Sequence, residues 1–478
     1  MANKFYQQAG WYLWILLLLL LPFTSLPIAG KLLHSNMVAA PSIFPLAILI
    51  LFWFLPSLLK IPLVSNSTPL IIFLCFAVIS TLLSFWLPIP IQKNFSLLNN
   101  GIEAIATLII GISFFMYPTQ MRFTSQQMNV TIKIICLSFV MVFVWSIFQF
   151  CVESYFKEYP DWMFSIQEMI STSGNLYRGR ITGLAFEPSW LAHQLNVFYI
   201  PFFLSATITQ NSVFKHKILR IKFETLLLFF AAILLFLTKS RIGWLTFLVC
   251  VGFIYLHINK ILARKIITLV NLKESKILVF SMNLALLFIL FGMAFLGLFG
   301  LSKIDHRMEN LFNIDFYKNN KILDITNEFV FAERILYWQT GWTIFNQFSI
   351  TGVGPGNSGF FFEENLPAYA WNLDEPRELI FRNSYQGNIK NLWLRILAEN
   401  GVTGFIFFTI WLLILWNAPN HRKPPGKSEE MKWIFFGKIA IIALVIEGFS
   451  IDTYALPYYW LALGLYSSSI QKNVTDSN

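Results

Sequence analysis

Charged residues make up only 13% of this chain, so the short segments that concentrate them are where chemistry is to be sought. Residues 178–194 read RGRITGLAFEPSWLAHQ and bring Arg178, Arg180, Glu187, Pro188 and His193 together. Residues 239–243 read KSRIG and place Arg241 in a corner almost without a loop. Two or three guanidinium groups around one cavity make an anion site. Arginine grips phosphate with paired, charge-assisted hydrogen bonds of about 1.5–3 kcal/mol each. Simpler readings compete: an Arg–Glu pair can lock a helix mouth, Lys239 can snorkel to lipid headgroups, and His193 can be a satisfied core residue. If the backbone from 180 to 187 is helical, Arg180 and Glu187 share a face, and Pro188 then bends or interrupts that helix.

Three further segments complete the set. Residues 326–348 read as an amphipathic helix capped by Thr326, with Arg334, Trp338 and Trp342 on one face. Gly352-Val353-Gly354-Pro355-Gly356-Asn357 predicts a tight, exposed turn. It is no nucleotide loop, because neither a Gly-Lys-Ser/Thr sequence nor a strand–helix unit surrounds it. Residues 390–404 open an apolar stretch with Lys390 and Asn391 and carry Glu399 inside it, where it caps or pairs. Trp338, Tyr369, Trp371 and Trp393 could stack on sugar rings or anchor at a membrane interface.

The elements that must hold these residues are membrane spans. Of 478 residues 56% are apolar or aromatic, 50 of them Phe, against about 45–50% in soluble domains. That composition excludes a soluble globular, disordered or nucleic-acid-binding chain. A bilayer core needs about 20 apolar residues per helix. Twelve such stretches lie near 11–30, 42–59, 68–88, 98–118, 131–153, 183–208, 222–238, 241–258, 277–301, 400–418, 433–451 and 454–470. The first reads as a retained helix rather than a signal peptide. The expected class is therefore an all-α integral membrane protein with one large exported loop.

Net charge is +10, and three loops carry much of it. Lys215, Lys217, Arg220 and Lys222 sit in one, Lys260, Arg264, Lys265, Lys273 and Lys276 in the next, and Arg422, Lys423, Lys427 and Lys432 in the last. The positive-inside rule makes all three cytoplasmic. Counting outward puts both termini in the cytoplasm and residues 154–182 and 302–390 outside. The long loop has eight basic and eleven acidic residues, net −3, and is too apolar to be a disordered linker. The chain divides into spans 1–5 (1–174), spans 6–9 with the arginine motifs (175–301), the exported loop (302–390) and spans 10–12 (391–478). Cys75, Cys136, Cys151 and Cys250 fall in apolar stretches and read as small buried hydrophobes.

Taken in order, the motifs resemble those of the bacterial O-antigen ligase and O-antigen polymerase superfamily. They are R-x-x-G-x-x-x-E-P (Arg180, Gly183, Glu187, Pro188), S-R-x-G (Ser240, Arg241, Gly243), R-x-x-x-W (Arg334, Trp338), G-V-G-P-G-N, and N-x-x-L-x-x-x-A-E-x-G (Asn391, Leu394, Ala398, Glu399, Gly401). The resemblance implies a GT-C-like inner-membrane glycosyltransferase without metal or other cofactor. It implies transfer of a glycan from undecaprenyl diphosphate to an acceptor sugar hydroxyl, with inversion. The resemblance puts Arg180 and Arg241 on the diphosphate; from the residues themselves Arg178 is expected to join them, Glu187 or a neutral Lys390 to be the base, and Arg334 to serve catalysis as well. Trp338, Trp393 and Asn391 would meet sugar or acceptor, while Gly352, Gly354, Gly356 and Glu399 would be structural.

Ligases of the family carry a histidine beside the Asn of the fifth motif, and here that neighbour is Lys390. This departure favours a surface-polysaccharide polymerase over a ligase acting on a lipid A-core or other acceptor. A flippase and a chain-length regulator are the protein partners such a role implies. A lipid-linked oligosaccharide transporter is the competing class, suggested by Glu103 and Glu447 inside apolar stretches.

Overall fold

A computed structural model describes the chain except residues 1, 34–37, 91–94, 122, 215, 216, 219, 220, 320–324, 327–330, 382–385, 419–427 and 476–478. Each of the twelve apolar stretches is helical through most of its length. The helices are α1 (Ala2–Leu20), a short α2 (Pro27–Leu33), α3 (Ile43–Leu58), α4 (Thr68–Ser84), α5 (Leu97–Met121), α6 (Ser125–Phe156) and the amphipathic α7 (Asp161–Ile170). There follow α8 (Pro188–Ile208, with a π-turn at Leu195–Tyr199), α9 (Phe223–Leu237), α10 (Arg241–Leu269), α11 (Lys276–Ile304), α12 (Ala332–Gln347), α13 (Asp374–Phe381), α14 (Leu392–Asn417), α15 (Ser428–Glu447) and α16 (Pro457–Thr475). Among the described residues seven helices are long and apolar enough to cross a membrane, and the apolar parts of α1, α3 and α9 are shorter. The protein is an all-helical membrane protein apart from a two-residue antiparallel pairing, Lys217 with Lys222, between α8 and α9.

Aromatic packing builds the centre. α16 lies along α5 and α14 along α4, and Trp411, Trp460, Phe408, Phe73 and Phe115 interlock there. The Trp411 and Trp460 rings stand 5.5 Å apart, and the Phe115 and Trp411 rings meet edge to face at 5.1 Å. Such pairs contribute about 0.5–1.5 kcal/mol each beyond their buried area. By contrast the apolar window of α11 is 0% buried, so its side chains face outward, as in a helix solvated by lipid.

The 302–390 region folds on its own apolar cluster. Leu336, Tyr337 and Ile344 of α12 pack with Val353, Phe360, Phe361, Phe362 and Ile389, and with Ala398 of α14. Several expectations need correction here. The amphipathic helix starts at Ala332 and not at 326. Thr326 does not cap it: Phe331 precedes the helix, and its N–H donates to the Thr326 carbonyl at 2.7 Å. Pro188 starts α8 instead of interrupting it, since at the first helical position its missing N–H leaves no bond unmade. Residues 180–187 are thus a loop, and Arg180 and Glu187 share no helical face. Cys136 and Cys250 are buried, but Cys75 and Cys151 lie on the outside of their helices.

Helix direction orients the bundle. α8, α10 and α14 begin near residues 188, 241 and 392 and end at the three basic loops. The motifs therefore gather at one end and the basic loops at the other. Lys432 Nζ donates to Asn211 Oδ1 at 3.4 Å at that second end. Lys215, Arg220, Arg422, Lys423 and Lys427 lie outside the described residues.

Candidate active site

Two segments far apart in sequence meet at the motif-bearing end. The Ile181 N–H donates to the Leu237 carbonyl at 3.2 Å, and Arg180 Nε donates to the Thr238 carbonyl at 3.0 Å. Lys239 Nζ lies 3.0 Å from where a Cβ on Gly179 would stand. The backbones bearing Arg180, Lys239 and Arg241 thus form one corner. A buried amide shapes the loop, as Gln149 Oε1 accepts from the N–H of Thr182 at 3.1 Å and of Gly183 at 2.9 Å. Phe186 is tied down too: its N–H donates to Thr24 Oγ1 at 2.9 Å.

The S-R-x-G motif has a local cause. Ser240 caps α10 by accepting from the Gly243 N–H, and Arg241 is the first helical residue. Gly243 lets α8 close in, for a Cβ there would meet Ala192 at 3.0 Å. Asn196 on α8 donates to the Gly243 carbonyl at 2.8 Å and to Glu447 Oε1 at 2.7 Å. Glu447 is therefore a buried hydrogen-bonded group at the end of α15, not a mid-membrane carrier. Glu103 is exposed in the second turn of α5. Arg241 also stands where unpaired helix N–H groups and the positive end of the dipole favour an anion. Arg178 is placed elsewhere, in an exposed ion pair with Glu158 at 2.5 Å.

Arg334, on α12, donates to the Ser450 carbonyl at 3.2 Å and to Ser450 Oγ at 2.9 Å. Burial pulls its guanidinium below the usual range, against the opposing charges of Glu187, Asp452, Glu375 and Glu447. Glu187 immediately precedes α8, accepts from Ser189 Oγ, and faces both Arg334 and Tyr177. Burial and the Glu187 charge raise the Tyr177 phenol, while nearby Asn175 and Arg180 lower it.

Lys390 joins the same end of the molecule, where the family's histidine is absent. Its N–H donates to Asp452 Oδ2 at 2.9 Å, its Nζ donates to Glu375 Oε1, and the ammonium stands 4.6 Å from the Tyr337 ring centre. With its Nζ taken up by a carboxylate and lying over a ring face, Lys390 is placed to hold Glu375 rather than to serve as a base. Glu333, hydrogen-bonded to Glu375, is pushed up to about 7 by burial and by that neighbour. Burial opposes charge on Glu375, yet its hydrogen bonds to Glu333, Lys390 and Tyr337 hold it below the usual carboxylate range.

The glycine motif does structural work and is buried rather than exposed. The N–H groups of Val353 and Gly354 donate to the carbonyls of Ala398 and Glu399 at 3.0 and 2.9 Å. The Val402 N–H returns a bond to Ser349 at 2.8 Å. Gly401 breaks the helical path of α14 with φ 61°. A Cβ there would sit 2.2 Å from the Ile350 carbonyl oxygen, and one on Gly352 would sit 2.3 Å from the Glu399 carbonyl carbon. Gly354 and Gly356 also hold positive φ, at 87° and 80°. Glu399 pairs inside the bundle as expected, with Arg395 Nε at 3.1 Å and Ser358 Oγ at 2.9 Å.

Other expected ligands are occupied. Asn391 is 1% exposed and its Oδ1 caps α14, accepting from the Trp393 and Leu394 N–H groups at 3.0 and 3.1 Å. Trp393 Nε1 donates to the Val445 carbonyl at 3.0 Å, and Trp338 Nε1 donates to the Lys390 carbonyl at 3.4 Å. Tyr369 bonds Gln339 at 2.8 Å, and Trp371 lies exposed beside Phe381. His193 is a core residue joined to the Tyr458 hydroxyl at 2.8 Å. Sequence reasoning did not single out Arg395, Asp452, Ser450, Glu333 or Glu375. Charge within a largely apolar chain could have marked four of them, and Ser450 carries no such signal.

Residues 226–409 match the family described as O-antigen ligase. That segment is similar to the O-antigen ligase family. The matched segment includes Arg241, Arg334, the glycine turn, Lys390 and Glu399, and leaves Arg180, Glu187 and Asp452 to flanking parts that the fold returns to the same end. No curated protein matches the chain.

Proposed function

We propose that this protein is a polysaccharide polymerase of the outer face of the bacterial cytoplasmic membrane, extending a surface glycan from an undecaprenyl-diphosphate donor. It would work with twelve spans, both termini in the cytoplasm and residues 302–390 outside. The observation that carries the reading is the pair of bonds joining Ile181 and Arg180 to Leu237 and Thr238. They bring two arginine motifs to one corner, beside the start of α10. Arg180 and Arg241 hold the diphosphate and stabilise charge as the leaving group departs. Arg334, facing Glu187, lies on the acceptor side. The acceptor hydroxyl attacks the anomeric carbon, the bond to the diphosphate breaks, and the centre inverts. No metal ion enters this scheme.

The ligase reading has one observation in its favour, the description of the matching family. Lys390 in place of the ligase histidine weighs against it. A deletion strain separates the two. Glycans shortened to a single repeat unit on the lipid core support the polymerase, and a lipid core without any glycan supports the ligase. Purified protein that turns over no lipid-diphosphate glycan contradicts both.

A further inference from the structure

We propose that Glu333 is the general base that takes the proton of the acceptor hydroxyl, positioned by Glu375 and Lys390. This inference rests on the glycosyl-transfer reading and supplies the group that the missing histidine leaves unassigned. Glu333 directly precedes Arg334 in α12, so one turn of helix delivers both a carboxyl and a guanidinium to the motif-bearing end. Its partners come from elsewhere in the exported region. Glu375, on α13, hydrogen-bonds it, and Lys390, just before α14, binds Glu375 and lies over Tyr337. Lys390 is therefore a positioning residue. It stands where the family's histidine stands and acts through Glu375.

Two carboxyls in contact share a proton rather than both ionising. Lys390 settles which one keeps the charge: its ammonium holds Glu375 ionised and leaves the proton with Glu333. Among the described residues the groups facing Glu333 are Glu375 and Lys390 from neighbouring segments and Tyr337 from its own helix. Arg334 beside it draws in Glu187, Asp452 and Glu447. Burial and the Glu375 charge set Glu333 to titrate at about 7, where a base is both available and strong enough to act. In the step itself Glu333 carboxylate accepts the hydroxyl proton as the oxygen bonds to the anomeric carbon. The electron pair of the broken carbon–oxygen bond leaves with undecaprenyl diphosphate. The proton then passes to water.

The test uses the full-length protein in lipid nanodiscs, with an undecaprenyl-diphosphate-linked repeat unit as substrate. For wild type, kcat/KM rises with pH through about 7. Glu333→Gln lowers turnover roughly 10²–10⁴-fold, removes that limb, and leaves undecaprenyl diphosphate binding intact. Glu375→Gln removes the like charge and moves the limb to lower pH, which a merely structural residue would not do. Infrared spectroscopy gives a readout independent of turnover: a carboxylic-acid C=O band lost across the same pH range in wild type and absent from Glu333→Gln. Wild-type rate and an unchanged limb in Glu333→Gln overturn the base and leave glycosyl transfer standing. A carboxyl that titrates as described in a protein that turns over no lipid-diphosphate glycan overturns the transfer reading, and the base with it.

Discussion

The glycine turn at 352–357 and the arginine corner at 179–181 and 237–241 are both dense in motif residues, yet they do different work. In the turn, backbone groups are spent on one another: Val353 and Gly354 bond the bend of α14, and Gly352 and Gly401 let two backbones touch. In the corner, one backbone bond and the Arg180 Nε bond to Thr238 fix the frame, and Arg180, Lys239 and Arg241 stand half-buried at its edge. Motif density therefore does not distinguish scaffold from chemistry. The accessibility of charge does.

That contrast can be broken or sharpened by substitution. Gly352→Ala and Gly401→Ala combine positive φ with a carbonyl in the way, so each is expected to cost upwards of about 3 kcal/mol and leave little folded protein. Size-exclusion chromatography of detergent-solubilised protein checks this, and a normally folded, active Gly401→Ala would show the turn to be no scaffold. Glu399→Gln leaves buried Arg395 short of its charge partner and is expected to cost about 3–5 kcal/mol by thermal unfolding. Arg241→Ala is expected to fold normally but lose about 10²–10³-fold in turnover. Arg180→Lys keeps the charge but loses the planar fork, and is expected to recover only part of the loss of Arg180→Ala. Arg178→Ala removes an exposed pair and is expected to change stability by less than about 1 kcal/mol and turnover not at all.

Much of the scaffold was legible because spans are written in composition. The twelve apolar stretches are largely helical, seven helices among the described residues are long and apolar enough to cross a membrane, and α14 starts at Leu392, capped by Asn391, ahead of position 400. The motif order also foretold which segments would meet. The helical option for residues 180–187 fails because Pro188 sits at the first position of α8, where proline favours a helix start, and the apolar residues before it are loop. Asn391 was taken for a ligand because its cap depends on backbone geometry. Glu333 and Glu375 lie about forty residues apart, and only the fold of the 302–390 region brings them together.

Binding of undecaprenyl diphosphate to wild type, Arg180→Ala, Arg241→Ala and the double variant tests the corner most directly, with each protein first shown to be folded. Two charge-assisted contacts to one diphosphate imply that each single change weakens binding about 10–100-fold. Because both arginines hold the same group, the double variant should lose less than the product of the two. Affinity unchanged in both single variants would contradict a diphosphate held between Arg180 and Arg241.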